Sequence, residues 1–120
     1  MSFKIQKFST VRISSSNVEL SRDWYKQLFA TDPIVDIENF VSFNIAGTVF
    51  DIAHADAKSP LSPGGSVGYW LIDDLNGLLK RVEELGAKVY RGPLKVPEIQ
   101  RTILQIQDPY GNVVGFEVPY

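Results

Sequence analysis

The sequence predicts an α+β domain of two paired βαβββ modules, and three observations carry this. A strand–helix–three-strand order occurs twice along the 120 residues. The two runs align at one constant offset when Val11 is laid on Val67, which places Asn17 on Asp73 and Phe29 on Leu85. The chain closes on a tight turn, Asp108-Pro109-Tyr110-Gly111-Asn112, followed by an alternating strand over Val113–Val118. The repeat is one of architecture, without strong residue identity. Module one spans about residues 8–54, a linker 55–65, and module two about residues 66–120.

Each element has a local cause. Val11–Ser14 is a short apolar-polar strand. Ser16 with Glu19 forms a capping box, which opens a helix running to about Phe29. Trp24, Tyr25, Leu28 and Phe29 are its apolar stripe, and Ala30-Thr31-Asp32-Pro33 ends it. Strands follow at Ile34–Ile37, Phe40–Ile45 and Thr48–His54, with turns at Asn39 and Ala46-Gly47. Ala55–Gly65, rich in Ser, Pro, Gly and Ala, is the linker.

The second module begins with a strand over Val67–Ile72. Asp73-Asp74 offers an N-cap, and Leu75, Leu78, Leu79, Val82 and Leu85 recur at helical spacing. Gly86 closes that helix. A strand starts at Val89-Tyr90 and runs into a loop punctuated by Gly and Pro. Arg101–Gln107 and Val113–Val118 complete the module. In the last turn Pro presets φ, while Gly and Asn tolerate positive φ. A half this small cannot cover both faces of its sheet, so the halves pack together or against a second subunit.

Composition narrows the function. The net charge of −2, with no cluster of basic residues, gives no case for nucleic acid. The chain has no Cys, hence no disulfide, thiol nucleophile or thiolate metal site. With one His, any metal site would be mostly carboxylate and carbonyl. No apolar run approaches the ~20 residues of a membrane span, and the first residues lack a signal-peptide core. A cytoplasmic protein is expected. Gly64-Gly65-Ser66-Val67-Gly68 lacks the Lys-Ser/Thr of a phosphate loop. Ser14-Ser15-Ser16 fits helix capping better than a nucleophile. Asp73-Asp74 and Glu83-Glu84 read as a cap and a solvated face.

The paired modules, the Asp108–Glu117 hairpin and the segment Tyr69-Trp70-Leu71-Ile72-Asp73-Asp74 together resemble the vicinal oxygen chelate superfamily, the glyoxalase/bleomycin-resistance/extradiol dioxygenase fold. The resemblance covers nearly the whole chain. It implies curved mixed sheets around a shared cavity, helices outside, and a homodimer. In metal-dependent members four strands each present a ligand. Carried over to this chain, those positions fall on Thr10, Asp51, Val67 and Gly115. One carboxylate stands where a Lewis-acid site needs about three protein ligands. A non-metal member with no cofactor is therefore expected.

If those four positions face the cavity, strand alternation brings Arg12, Tyr69 and Glu117 to the same side. Val11, Ile13, Phe50, Ile52, Gly68, Trp70, Val114 and Phe116 then face the helices, and they are nearly all apolar. Leu104 and Ile106 would be core, with Ile103 and Gln105 on the cavity side. Val41, Phe43 and Ile45 would be core, with Ser42 and Asn44 opposite. The candidate ligand-binding set is Thr10, Arg12, Asp51, Tyr69, Gln105 and Glu117, and the candidate bases are Asp51 and Glu117.

Bland readings stand beside these. Arg12 either grips a carboxylate or phosphate or pairs with Asp51 or Glu117. Tyr69 either stacks on a ligand or is a wall residue. Asp51 is a functional carboxylate or one bonded to backbone or water, and Glu117 is either functional or merely solvated. Trp24 and Trp70 fit the core, and His54 fits a lone surface histidine. The leading expectation is a small-molecule binding protein for an aromatic or antibiotic-like ligand. The alternatives are a metal-independent lyase or isomerase on a small oxygenated substrate and a sensor or interaction domain.

Overall fold

The computed structural model describes residues 4, 6–61 and 66–120. Two four-stranded mixed sheets each carry one helix. The first module runs β1 (Thr10–Ser15), α1 (Val18–Phe29), β2 (Val35–Ile37), β3 (Phe40–Ile45) and β4 (Thr48–His54). The second runs β5 (Tyr69–Leu71), α2 (Leu75–Glu84), β6 (Lys88–Val96), β7 (Arg101–Gln107) and β8 (Val113–Pro119). The strand orders are β1-β4-β3-β2 and β5-β8-β7-β6, so β1 and β5 are edge strands. Each pairs in parallel with the last strand of its module, and the remaining pairs are antiparallel.

The helix-facing residues form the core. Phe43, Phe50, Ile52, Leu104, Ile106, Val114 and Phe116 are buried with Val18, Trp24 and Tyr25 of α1 and Val82 of α2. Val11, Ile13 and Trp70 pack against them. Aromatic rings weld the modules together. Phe29 meets Trp70 edge-on at 5.5 Å between centroids, and Phe50 meets Trp70 at 6.1 Å, distances at which such pairs attract beyond simple burial. Polar ties cross the same boundary. The Trp24 indole donates to Leu85 O at 2.9 Å, and Asn112 Nδ2 donates to Ser14 O at 2.8 Å. The Tyr25 hydroxyl donates to Asp108 at 2.6 Å, with both residues buried.

Four expectations are corrected. The α1 N-cap is Asn17, whose side chain accepts from Leu20 N, so Ser16 builds no capping box. Ser15 instead turns inward to a hydrogen bond with the buried Ser21. The α2 cap is Asp74, accepting from Gly77 N. Matching caps therefore set Asn17 on Asp74, one residue from the alignment read in the sequence. Finally, β6 continues through Gly92-Pro93 to Val96, where a loop was expected, because register shifts absorb the interruption. Conversely β5 begins only at Tyr69, leaving Val67 before the strand. Gly86 follows α2 at φ +74, the left-handed conformation expected of a helix terminator. Part of the linker, at 62–65, lies outside the described residues, as do two glycines of the Gly-rich run.

Candidate functional site

The polar residues gather on the sheet faces away from the helices, in two cross-strand rows. In the first sheet Arg12 on β1 lies opposite Asp51 on β4, which lies opposite Ser42 on β3. In the second, Tyr69 on β5 lies opposite Gly115 on β8, which lies opposite Gln105 on β7. Each row runs inward from an edge strand, and matching the helix caps sets Arg12 on Tyr69.

The first row is an ion pair with a buried acid. Arg12 Nε and Nη2 both donate to Asp51 Oδ2, at 3.1 and 2.8 Å. Ser42 Oγ donates to the other carboxylate oxygen. The Asp51 side chain is 4% exposed and that of Arg12 59%. The guanidinium also sits over the Phe40 ring, 5.5 Å from its centroid, within cation–π range. Three donors thus satisfy a carboxylate that burial alone would penalise.

The second row is aromatic. A Cβ built on Gly115 would lie 2.6 Å from Tyr69 Cδ1 and 2.8 Å from Gly68 O. The Tyr69 ring therefore covers the glycine. Beyond it, Gln105 Nε2 donates to the Tyr69 hydroxyl at 2.6 Å. Only glycine permits this approach.

Between β1 and β5 runs a cleft of about 500 Å3, within the range of small-molecule sites. Phe8, Val11, Ile13, Phe50, Trp70 and Val114 contribute apolar wall, and Arg12, Thr48, Ser66 and Tyr69 the polar side chains. Backbone groups join them. Val49 N bonds Ser9 O and Ala55 N bonds Ser15 O on the β4 side, so alternation turns the amides of Thr10 and Arg12 outward. Gly68 O and Ile72 N bond β8, so those of Tyr69 and Leu71 turn toward β1. Among the described residues no backbone hydrogen bond joins the two edges.

Of the six candidate ligand-binding residues, Arg12 and Tyr69 line this cleft. Asp51 lies behind Arg12, and Gln105 behind Tyr69. Thr10 opens β1 and its hydroxyl donates to Ser9 Oγ at 3.3 Å. Glu117 is 3.7 Å from Arg101 Nε. His54 ends β4, exposed, with Nδ1 donating to Ala55 O at 2.9 Å. The sequence reading missed two features. Trp70 forms cleft wall as well as core. Tyr25–Asp108 is a buried polar clamp, in which burial first, and then the Asp108 charge and hydrogen bond, push the phenol well above its ordinary value.

A catalytic metal of the kind the resemblance raises does not fit these residues. Gly115 has no room for a side chain, Asp51 is occupied by Arg12 and Ser42, and Val67 has no donor. No group of three or more His, Cys, Asp or Glu is placed to hold a metal ion among the described residues.

The fold matches solved structures along its length. A glyoxalase/bleomycin resistance protein/dioxygenase family enzyme from Burkholderia phytofirmans PsJN aligns with a TM-score of 0.80 at 16% identity, covering 96% of this chain and 100% of that one. A genomically encoded fosfomycin resistance protein from Listeria monocytogenes aligns at 0.77 and 13% identity, covering 98% and 96%. A virulence protein from Salmonella typhimurium aligns at 0.76 and 13%, covering 98% and 100%. At these identities the likeness is one of fold. Comparison with curated proteins gives no match. The family model for the Glyoxalase/Bleomycin resistance protein/Dioxygenase superfamily matches residues 7–116, and the chain belongs to that superfamily.

Proposed function

We propose that this chain is a small-molecule binding protein whose ligand lies between β1 and β5, held without a metal ion. The observation that carries this is the cleft itself: an apolar trough lined also by Arg12 and Tyr69, one from each edge strand. Both side chains are fixed by partners behind them, so little conformational freedom is lost when a ligand docks. Backbone groups of both edge strands add orientation.

The isomerase or lyase alternative has less support. A general base needs a free lone pair directed at the substrate. Asp51 accepts from Arg12 and Ser42, and Glu117 faces Arg101. Apolar side chains on the open sheet faces, among them Ile37 and Leu71, stay exposed in the single chain, which supports pairing with a second copy.

Trp70 lines the cleft and reports on its contents. Titration of the protein with one- and two-ring organic compounds should give saturable fluorescence quenching for a subset. Complete absence of saturable response or thermal shift across a varied set would overturn this function. Stoichiometric divalent metal in the purified protein would contradict the metal-free reading.

A further inference from the structure

We infer that the ligand is a planar organic carboxylate, its ring in the apolar trough and its anionic group on Arg12. This rests on the ligand-site reading above and adds the charge and shape of what binds. Asp51 engages only Nε and Nη2 of Arg12, both through Oδ2. The other edge of the guanidinium, Nη1 with the remaining Nη2 proton, makes no hydrogen bond among the described residues. That edge presents two near-parallel donors, the fork that matches a carboxylate. Asp51 cancels the charge at a distance but leaves this edge acidic at contact.

The opposite wall sets the body of the ligand. Gln105 donates to the Tyr69 oxygen, which leaves the Tyr69 hydroxyl proton free to donate in turn. The ring of Tyr69 is pinned over Gly115, and Trp70 and Phe50 line the interior beside it. Aromatic walls at fixed positions favour a flat ligand. Among the described residues the cleft lining holds no Asp or Glu. A cationic ligand would therefore meet Arg12 and find no free acid, and a neutral ligand would waste the fork.

The test uses three isosteric probes on the wild-type protein: 2-naphthoate, 2-naphthamide and 2-naphthylmethylammonium, each titrated by calorimetry. The carboxylate should bind at least tenfold more tightly than either of the others. In the double variant Arg12→Gln/Asp51→Asn, which strands no buried charge, the carboxylate and amide should converge. Equal or tighter binding of the amide or the cation overturns the inference while leaving the cleft as a ligand site. A carboxylate preference that persists in the double variant overturns its assignment to Arg12. Failure of all three probes counts against both readings. If the double variant does not fold, the comparison of probes on the wild type decides.

Discussion

The ring of Tyr69 lies across the backbone of Gly115, so close that a methyl group there would sit 2.6 Å from Tyr69 Cδ1. This contact joins the edge strand β5 to β8 and aims the tyrosine at Gln105 on β7. It also fills the position to which the sequence resemblance assigns a ligand carboxylate in metal-dependent members. The empty backbone position and the aromatic side chain are one feature.

Gly115→Ala should therefore displace the Tyr69 ring. Insertion of a methyl group into a filled site costs about 1–3 kcal/mol, and the backbone oxygen of Gly68 at 2.8 Å cannot swing aside. Chemical denaturation should show the loss. Gly115→Ala/Tyr69→Ala should recover part of it, because the ring clash is gone. A stability for Gly115→Ala equal to wild type would show that the ring does not rest there.

Arg12 and Asp51 should be energetically coupled. Arg12→Ala leaves a buried carboxylate with Ser42 as its remaining side-chain donor, at a cost of about 1–2 kcal/mol. The exposed guanidinium and solvent screening keep the figure below that of a fully buried pair. In a double-mutant cycle with Asp51→Asn the coupling should reach at least about 0.5 kcal/mol. Strictly additive losses would remove the ion pair from the account.

The Tyr25–Asp108 clamp predicts an alkaline limb. The folded phenol ionises above its unfolded value of about 10. Its contribution is fully present below that pH and is lost as pH rises through the folded value. Above pH ~10 the unfolded chain releases a proton that the folded chain keeps, so stability falls by up to ~1.4 kcal/mol per pH unit. Tyr25→Phe should remove that one-proton slope and cost about 1–3 kcal/mol at neutral pH, since Asp108 Oδ2 loses its donor. Identical alkaline limbs in both proteins would show that Tyr25 titrates normally.

The order of elements was legible because each strand and helix carries its own periodicity and turn residues. Val114 and Phe116, or Phe50 and Ile52, reveal their buried face by spacing alone. Local ambiguities were not resolved by the same logic. Ser16 and Asn17 are both good caps, and the inward turn of Ser15 toward Ser21 decides between them. Gly92-Pro93 reads as a break, yet the pairing to β7 carries the strand past it.

The candidate site was less legible, because its contacts link residues far apart in sequence. Arg12 and Asp51 were visible as a possible pair. That Arg12 spends one edge on Asp51 and leaves the other without a hydrogen bond among the described residues depends on rotamers. The covering of Gly115 by Tyr69 depends on register across three strands. Asp108 carried a signal in its turn motif, since its Oδ1 accepts from the amides of Tyr110 and Asn112. Its second oxygen reaches Tyr25, which no local pattern announces.

The most direct test of the ligand-site claim is backbone amide mapping by heteronuclear NMR during titration with 2-naphthoate. The predicted result is saturable shifts concentrated on the facing edges of β1 and β5, at Thr10, Arg12, Tyr69 and Leu71, with α1 and α2 largely unmoved. Shifts centred elsewhere on the molecule, or none at saturating ligand, would contradict it.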